Sequence, residues 1–264
     1  MSFKKTYTPK KGYTPICKIG ECSLKRLAFG IILLDAGEKL PFYTEDKETA
    51  FIMLEGHCNV YVRGGKWENV GNRATVFENR RAESFYMPIE EHLEIEAIDK
   101  VKIAVCATPV KEKTEPQLLR ADRVVLKELG EIPYKRETSF IIDGTTNARV
   151  LTIGEAYPEN GNWAGFPPHK HDEDAMPTEC IAEEIYYFLF HPEQGFGVQC
   201  LYTADGEIDE AYRVKSDELV EFPYGYHSTV AAPCYESYFL WLMAGDYQGF
   251  NRRNDPEHDW VTKG

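Results

Sequence analysis

Pro167-Pro168-His169-Lys170-His171, followed by Glu183-Glu184-Ile185-Tyr186-Tyr187-Phe188 and then by Pro223-Tyr224-Gly225-Tyr226-His227, is the part of the chain that decides the fold. Side chains alternate between the two faces of a strand, so His169 and His171 project together while Lys170 points away. The same rule separates Glu183 from Glu184, and only one of them can share an interior with the histidines. Three imidazoles and one carboxylate arriving on three separate strands make a ligand set for one divalent metal. Such a set leaves one or two coordination positions open, as a catalytic site does and a closed structural site does not.

Working outward, an internal repeat emerges at an offset of 135 residues. It lays Pro223-x-x-x-His227 on Pro88-x-x-x-His92, Leu219-Val220-Glu221-Phe222 on Ser84-Phe85-Tyr86-Met87, and Glu184-Ile185-Tyr186-Tyr187-Phe188 on Thr49-Ala50-Phe51-Ile52-Met53. About eight extra residues after His171 bring Pro168-His169-Lys170-His171 onto Pro41-Phe42-Tyr43-Thr44. The chain therefore reads as a duplicated unit. Each unit is a series of short aromatic and β-branched segments: Ala28 to Leu34, Ala50 to Leu54, Cys58 to Arg63, Ser84 to Met87 and Lys102 to Ala107 in the first half. The second half has Arg149 to Glu155, Glu184 to Phe190, Gly197 to Thr203, Glu218 to Phe222 and Ser237 to Met243. Strands at this spacing predict an all-β chain with a sandwich or barrel in each half, the jelly-roll with a mouth for a small ligand being the natural form. Only Glu115 to Leu129 offers a helix or connecting arm, and its charge and Pro116 suit a linker. The expected division is residues 1–120 and residues 121–264.

In the first half the positions equivalent to the ligands are Phe42, Thr44 and Thr49, and of the four only His92 remains. One imidazole does not hold a metal, so the N-terminal half is expected to be metal-free. Its expected role is scaffolding, dimer contacts or a cover for the active site, and its His92 is expected to be a hydrogen-bonded residue at a barrel mouth.

The order H-x-H, then a glutamate, then P-x-G-x-H resembles the two cupin motifs. Counting back seven from the place where the motif glycine would stand, His191, selects Glu184. Tyr186 and Phe188 then share its face, and Glu183, Ile185 and Tyr187 pack outward. Twelve residues separate His171 from Glu184 where most cupins have three or four. Gly161-Asn162-Trp163, Pro192-x-Gln194-Gly195-Phe196, Met243-Ala244-Gly245 and Asn254-Asp255-Pro256-x-His258-x-Trp260 extend the likeness to the 5-deoxy-glucuronate isomerases of myo-inositol catabolism, in which the long insertion is typical. That family is a bicupin, two tandem cupin barrels, related to the 4-deoxy-L-threo-5-hexosulose-uronate ketol-isomerases of pectin breakdown. The resemblance implies an aldose-ketose isomerase converting 5-deoxy-D-glucuronate to 5-dehydro-2-deoxy-D-gluconate. It implies a metal held by His169, His171, Glu184 and His227, zinc before manganese or iron. The uronate ketol-isomerase and an Fe(II) cupin dioxygenase are the alternatives, and a non-catalytic sugar-binding bicupin ranks last.

An isomerase of a sugar acid needs more than a Lewis acid. Tyr186, on the metal face, can hydrogen-bond a hydroxyl or relay a proton. The substrate carboxylate needs a cation, best an Arg able to bind through two parallel hydrogen bonds. Arg149, Lys170, Arg213 and Arg252-Arg253 are the candidates in the second half, and Arg213, in Ala211-Tyr212-Arg213-Val214, is the one selected.

Composition bounds the rest. The 264 residues are 43% hydrophobic and 13% aromatic, enough for one large or two smaller cores. A net charge of −13 speaks against nucleic acid and anionic membranes as partners, leaving a small sugar acid and self-association into a homo-oligomer. No apolar run reaches the roughly 18 to 20 residues of a membrane span, and no apolar segment follows Lys4-Lys5, so the cytoplasm is expected. Seven cysteines without C-x-x-C spacing suit reduced thiols, with Cys58, Cys106 and Cys200 as small core residues.

Overall fold

Alternation along the strand Ala182–His191 sets the layering of the molecule. Glu184, Tyr186 and Phe188 face one way, Tyr186 and Phe188 packing with Phe222, Phe239, Trp241 and Met243 inside the C-terminal half. Ile185 and Tyr187 face the other way, into a core shared with Phe29, Ile31, Ile52 and Tyr86 of the N-terminal half. The computed structural model describes residues 2–262; positions 1 and 263–264 of the two expected halves lie outside the described residues.

Four antiparallel sheets are arranged in two pairs. The C-terminal pair has a seven-stranded sheet ordered Lys4–Thr6, Glu218–Phe222, Ala182–His191, Glu236–Gly245, Leu151–Pro158, Arg136–Ile142 and Val125–Leu129. It faces a five-stranded sheet ordered Asp209–Lys215, Phe196–Tyr202, Tyr226–Ala231, Trp163–Lys170 and Arg253–Asn254. The N-terminal pair has six strands, Gln117–Leu119, Ser84–Met87, Lys47–Glu55, Val101–Pro109, Ala28–Leu34 and Gly12–Cys17, against four, Lys39–Tyr43, His92–Ala97, Cys58–Val62 and Gly65–Val70. The expected all-β jelly-roll pair is present, although hydrogen bonding does not run round either half, so neither barrel is closed.

The repeat is visible in the register. Thr49 pairs with Met87 as Glu184 pairs with Phe222, and the next three pairs keep the same offset of 135. His92 breaks the symmetry: it is exposed and stacks on Tyr43 with centroids 4.2 Å apart, while its neighbour Leu93 takes the interior. It is therefore an outer-face stacking residue, and among the described residues its ring has no hydrogen-bond partner. Thr44 is buried and donates to the Pro88 carbonyl at 2.7 Å.

The two large sheets pack back to back, and their interface is polar as well as apolar. Arg73 Nη2 meets Glu155 Oε1 at 2.5 Å with both side chains fully buried, and Tyr238 donates to the same carboxylate at 2.9 Å. Glu48 accepts from the amides of Arg149, Val150 and Leu151, and Glu183 from those of Lys25 and Arg26. Burying charge is tolerable only when it is paired and hydrogen-bonded in this way.

One open reading is decided and one expectation needs correction. Glu115 to Leu129 is the connecting arm of the two readings offered and not the helix: it runs from the strand Gln117–Leu119 on the N-terminal sheet through one 3-10 turn to the strand Val125–Leu129 on the C-terminal sheet. Alternating Val125, Lys127 and Leu129 pair readily with a neighbouring strand, which wins over weak helix propensity. Cys17 and Cys22 form a disulfide across a short turn, so not all seven thiols are free. Cys58 and Cys106 are buried as expected, and Cys200 is half-buried.

Candidate metal centre

His169 and His171 come from the strand Trp163–Lys170 and the residue just after it, Glu184 from Ala182–His191 and His227 from Tyr226–Ala231. His169 lies directly across from His227 in register. The strand reaches this point through a large bulge between Ala164 and His169, where Pro167 and Pro168 need no ladder partner for a missing N–H. Gly165 begins the bulge with φ +61, and a Cβ there would lie 3.3 Å from His169 Cε1 and 3.6 Å from the Tyr186 hydroxyl. That conformation and that closeness favour glycine.

All four side chains are buried. His171 Nε2 lies 2.9 Å and His227 Nε2 3.0 Å from Glu184 Oε2. Donor atoms of His171, Glu184 and His227 all fall within 4.8 Å of one another. His169 stands beside this trio rather than within it, its ring centroid 4.6 Å from that of His227 and 6.3 Å from that of His171. Each ring spends Nδ1 on a backbone carbonyl: His169 on Gly165 at 3.1 Å, His171 on Ala182 at 2.9 Å, His227 on Gly225 at 3.3 Å. Those bonds select the tautomer that leaves Nε2 as the free ligand atom.

The electrostatics fit a cation. Burial pulls His169 well below the usual imidazole value, with Arg252 and the other two histidines adding to it. Burial opposes charge on His171 and Glu184 too, but their mutual hydrogen bond and attraction outweigh it, raising His171 and lowering Glu184. Glu184 Oε1 is buried without a hydrogen-bond partner among the described residues, and the only polar neighbour of His227 Nε2 is the other oxygen of that carboxylate. Unpaired buried polar atoms of this kind are rare unless something binds them, and a histidine-carboxylate donor set suits a divalent first-row cation.

Outer residues hold the arrangement. Lys170 points away from the centre, as alternation requires, into Asp172, Glu173 and Glu179 at 2.5, 2.7 and 2.9 Å. Asp172 Oδ2 accepts from the Gly225 amide at 2.7 Å, tying the turn that carries His227 to the strand that carries His169. Gly225, at φ +98, has no room for a Cβ, which would stand 2.8 Å from the Tyr202 carbonyl. His191 ends its strand exposed, and the chain turns beyond it through a Gly195 amide to Pro192 carbonyl bond of 2.9 Å.

A cavity opens onto His169 and Glu184, walled by Phe140, Phe239, Trp241 and Phe250, with Tyr186, Thr138, Arg136 and Arg252 as its other polar groups. Tyr186 is therefore placed beside the histidines, as its alternation predicted. Arg213 is not: it is exposed, on the outward strand Asp209–Lys215, with its guanidinium over the Phe196 ring. Arg149 pairs with Glu112 at the surface. Of the cations weighed from sequence only Arg252 lines the cavity. Arg136 escaped notice, although Arg136, Thr138 and Phe140 alternate onto one face of their strand and could have been found by that pattern. All of these cavity residues belong to the C-terminal half. The N-terminal half packs on the back of the seven-stranded sheet, and among the described residues none of it lines this cavity.

Residues 3–261 match the model of the KduI/IolB family. The chain belongs to the KduI/IolB family. Among KduI/IolB relatives, 5-deoxy-glucuronate isomerase of Geobacillus thermodenitrificans is 37% identical over 237 residues, 90% of this chain and 86% of that one. The protein of the same name from Bacillus subtilis strain 168 is 33% identical, with 91% and 89% covered. The crystal structure of an IolB-like protein from Salmonella typhimurium LT2 superimposes with a TM-score of 0.95 at 27% identity over 99% of this chain and all of that one. Bacillus subtilis oxalate decarboxylase superimposes with a TM-score of 0.64 at 15% identity, covering 96% and 80%, and shares the bicupin fold. This KduI/IolB chain is thus an enzyme of the isomerase class. Among the described residues, no helix is long and apolar enough to cross a membrane.

Proposed function

We propose that residues 121–264 hold one divalent cation on His169, His171, Glu184 and His227 and isomerise 5-deoxy-D-glucuronate to 5-dehydro-2-deoxy-D-gluconate, a step of myo-inositol catabolism in the cytoplasm. Residues 1–120 serve as the support for that half. The observation that carries the reading is the convergence of His171 and His227 on the buried carboxylate of Glu184, which has one oxygen unpaired, with His169 beside them and all three rings anchored through Nδ1. The substrate comes from the named relatives. Zinc is the cation the resemblance favours; manganese and iron accept the same donors.

When bound, the cation supplies Lewis acidity to a carbonyl and its neighbouring hydroxyl and stabilises negative charge developing there. The protein's part is to hold and shield the open-chain sugar. Phe140, Phe239, Trp241 and Phe250 keep water from the reacting carbons. Burial and the nearby Glu184 push the Tyr186 phenol far above its ordinary value, so its hydroxyl stays protonated and can donate to a substrate oxygen. It is a hydrogen-bond donor, or an acid, and not the resting base.

The test is an anaerobic assay on the deoxy-sugar acid with metal content measured in parallel. Product of unchanged mass without oxygen uptake is expected, with activity and metal both lost in His171→Ala. Retained activity in metal-stripped His171→Ala rejects the mechanism, and an absolute need for oxygen rejects the isomerase.

A further inference from the structure

Two guanidinium groups line the cavity, and among the described residues neither lies within ion-pair distance of a carboxylate, although Glu184 in the same cavity attracts Arg252. Arg136 is buried on the strand Arg136–Ile142, and among the described residues the one hydrogen bond of its guanidinium runs from Nη1 to the Tyr134 carbonyl at 3.2 Å. Arg252 is half-buried on the C-terminal tail, where its guanidinium lies over the Phe250 ring. Among the described residues no carboxylate pairs with either one. Arg80, Arg120 and Arg149 each have such a partner at or near the surface, and the buried Arg73 has Glu155. Each of the pair also raises the cost of charge on the other: Arg136 is brought down to about 10, by burial first and by Arg252 second.

The placement of Arg252 is built, not accidental. The tail pairs Arg253 and Asn254 with Lys170 and His169 of the ligand strand. Asp255 donates its amide to the Pro168 carbonyl at 2.8 Å and accepts from the Tyr202 hydroxyl at 2.6 Å. The Cys180 amide bonds the Asn251 carbonyl at 3.0 Å. Phe250 packs against Trp241 with centroids 5.2 Å apart. These contacts hold the residues on both sides of Arg252, and they direct it into a cavity already containing a like charge. Two unpaired cations at one buried site are unfavourable for folding and are to be expected where an anion binds.

We propose that Arg136 and Arg252 form the seat for the carboxylate of a sugar acid, fixing that end of the substrate so that its other end meets the histidines. The inference rests on the isomerase reading for the identity of the acid, but not for the existence of the seat. Planar guanidinium groups suit a carboxylate through paired hydrogen bonds. The site then discriminates uronic acids from neutral aldoses of the same length.

Calorimetry on the metal-loaded full chain tests this with D-glucuronate, D-glucose and glucose 6-phosphate as probes. Wild type should bind glucuronate at least about tenfold more tightly than glucose. Arg136→Gln and Arg252→Gln should each weaken glucuronate on the order of 10- to 100-fold while leaving glucose and metal content unchanged. Arg252→Lys, which keeps the charge without the fork, should recover part of the loss. Equal binding of glucuronate and glucose by wild type overturns the seat, as does wild-type binding by both Gln variants. Tighter binding of the phosphate ester than of glucuronate overturns the carboxylate assignment. Should Arg136→Gln fail to fold, the half-exposed Arg252 decides. If glucuronate binding depends on the arginines but the deoxy acid is not converted, the seat stands and the isomerase reading falls. Conversion with kinetics independent of both arginines removes the seat alone.

Discussion

His171 and Ala182 are bonded to each other twice: the Ala182 amide donates to the His171 carbonyl at 2.8 Å, and His171 Nδ1 meets the Ala182 carbonyl at 2.9 Å. The long insertion between the first two ligands therefore leaves and returns at one point, and Glu184 arrives two residues later on the interior face. The extra residues are outside the geometry of the centre, which is why a spacing so unlike the short cupin form still brings the same donors together.

Glu179 organises that excursion. Its buried Oε1 accepts from Lys170 Nζ at 2.9 Å and from the amides of Asp172 and Glu173 at 2.9 and 3.1 Å. Glu179→Ala leaves both amides without that acceptor and frees Asp172, which holds Gly225. A loss of about 2–4 kcal/mol in urea unfolding is expected, together with weaker metal retention. A stability change under about 0.5 kcal/mol would show that the loop does not depend on this carboxylate.

Gly165→Ala should act on the centre without touching a ligand. The added Cβ meets His169 and the Tyr186 hydroxyl, and φ +61 is strained for any residue with a side chain. Destabilisation of about 1–3 kcal/mol is expected, with metal affinity reduced on the order of 10-fold because His169 must shift. Metal titration of the folded variant checks it; unchanged affinity contradicts the placement of His169.

Part of this was legible in the sequence because some strands are covered on both sides. Ser84–Met87 and Glu218–Phe222 are buried along their whole length, so they read as mainly apolar segments with the expected bounds. The strands Lys39–Tyr43, Gly65–Val70, His92–Ala97 and Asp209–Lys215 were not recognised, since each keeps one face in water and mixes Lys or Glu with its apolar residues. Pro41 argues further against a strand. The ligands were legible through short-range alternation, whereas the seat opposite them depends on a tail folding back over more than eighty residues. No local pattern distinguishes Arg252, inside the cavity, from Arg213, outside it.

The buried ion pair between the halves should behave as one unit. Arg73→Met strands Glu155 without its charge partner, and a loss of about 3–5 kcal/mol is expected. Adding Glu155→Leu should return part of that loss, because no unpaired charge is then buried, although the hydroxyls of Tyr157 and Tyr238 lose their acceptor. Urea unfolding of the two single variants and the double variant measures the coupling. Additive losses would show that the two side chains contribute independently.

Tyr186→Phe separates a chemical role from packing. The ring stacks on Phe239 with centroids 4.4 Å apart and meets Phe222 edge-on at 4.9 Å, contacts that Phe preserves. The hydroxyl makes no protein hydrogen bond among the described residues and lines the cavity, so removing it strands no buried partner. Stability and metal content should stay within error of wild type while kcat falls on the order of 100-fold. Burial and Glu184 raise the phenol above its ordinary value, with Arg252 and Arg136 opposing them. An unchanged kcat in the folded, metal-loaded variant would reduce the residue to packing.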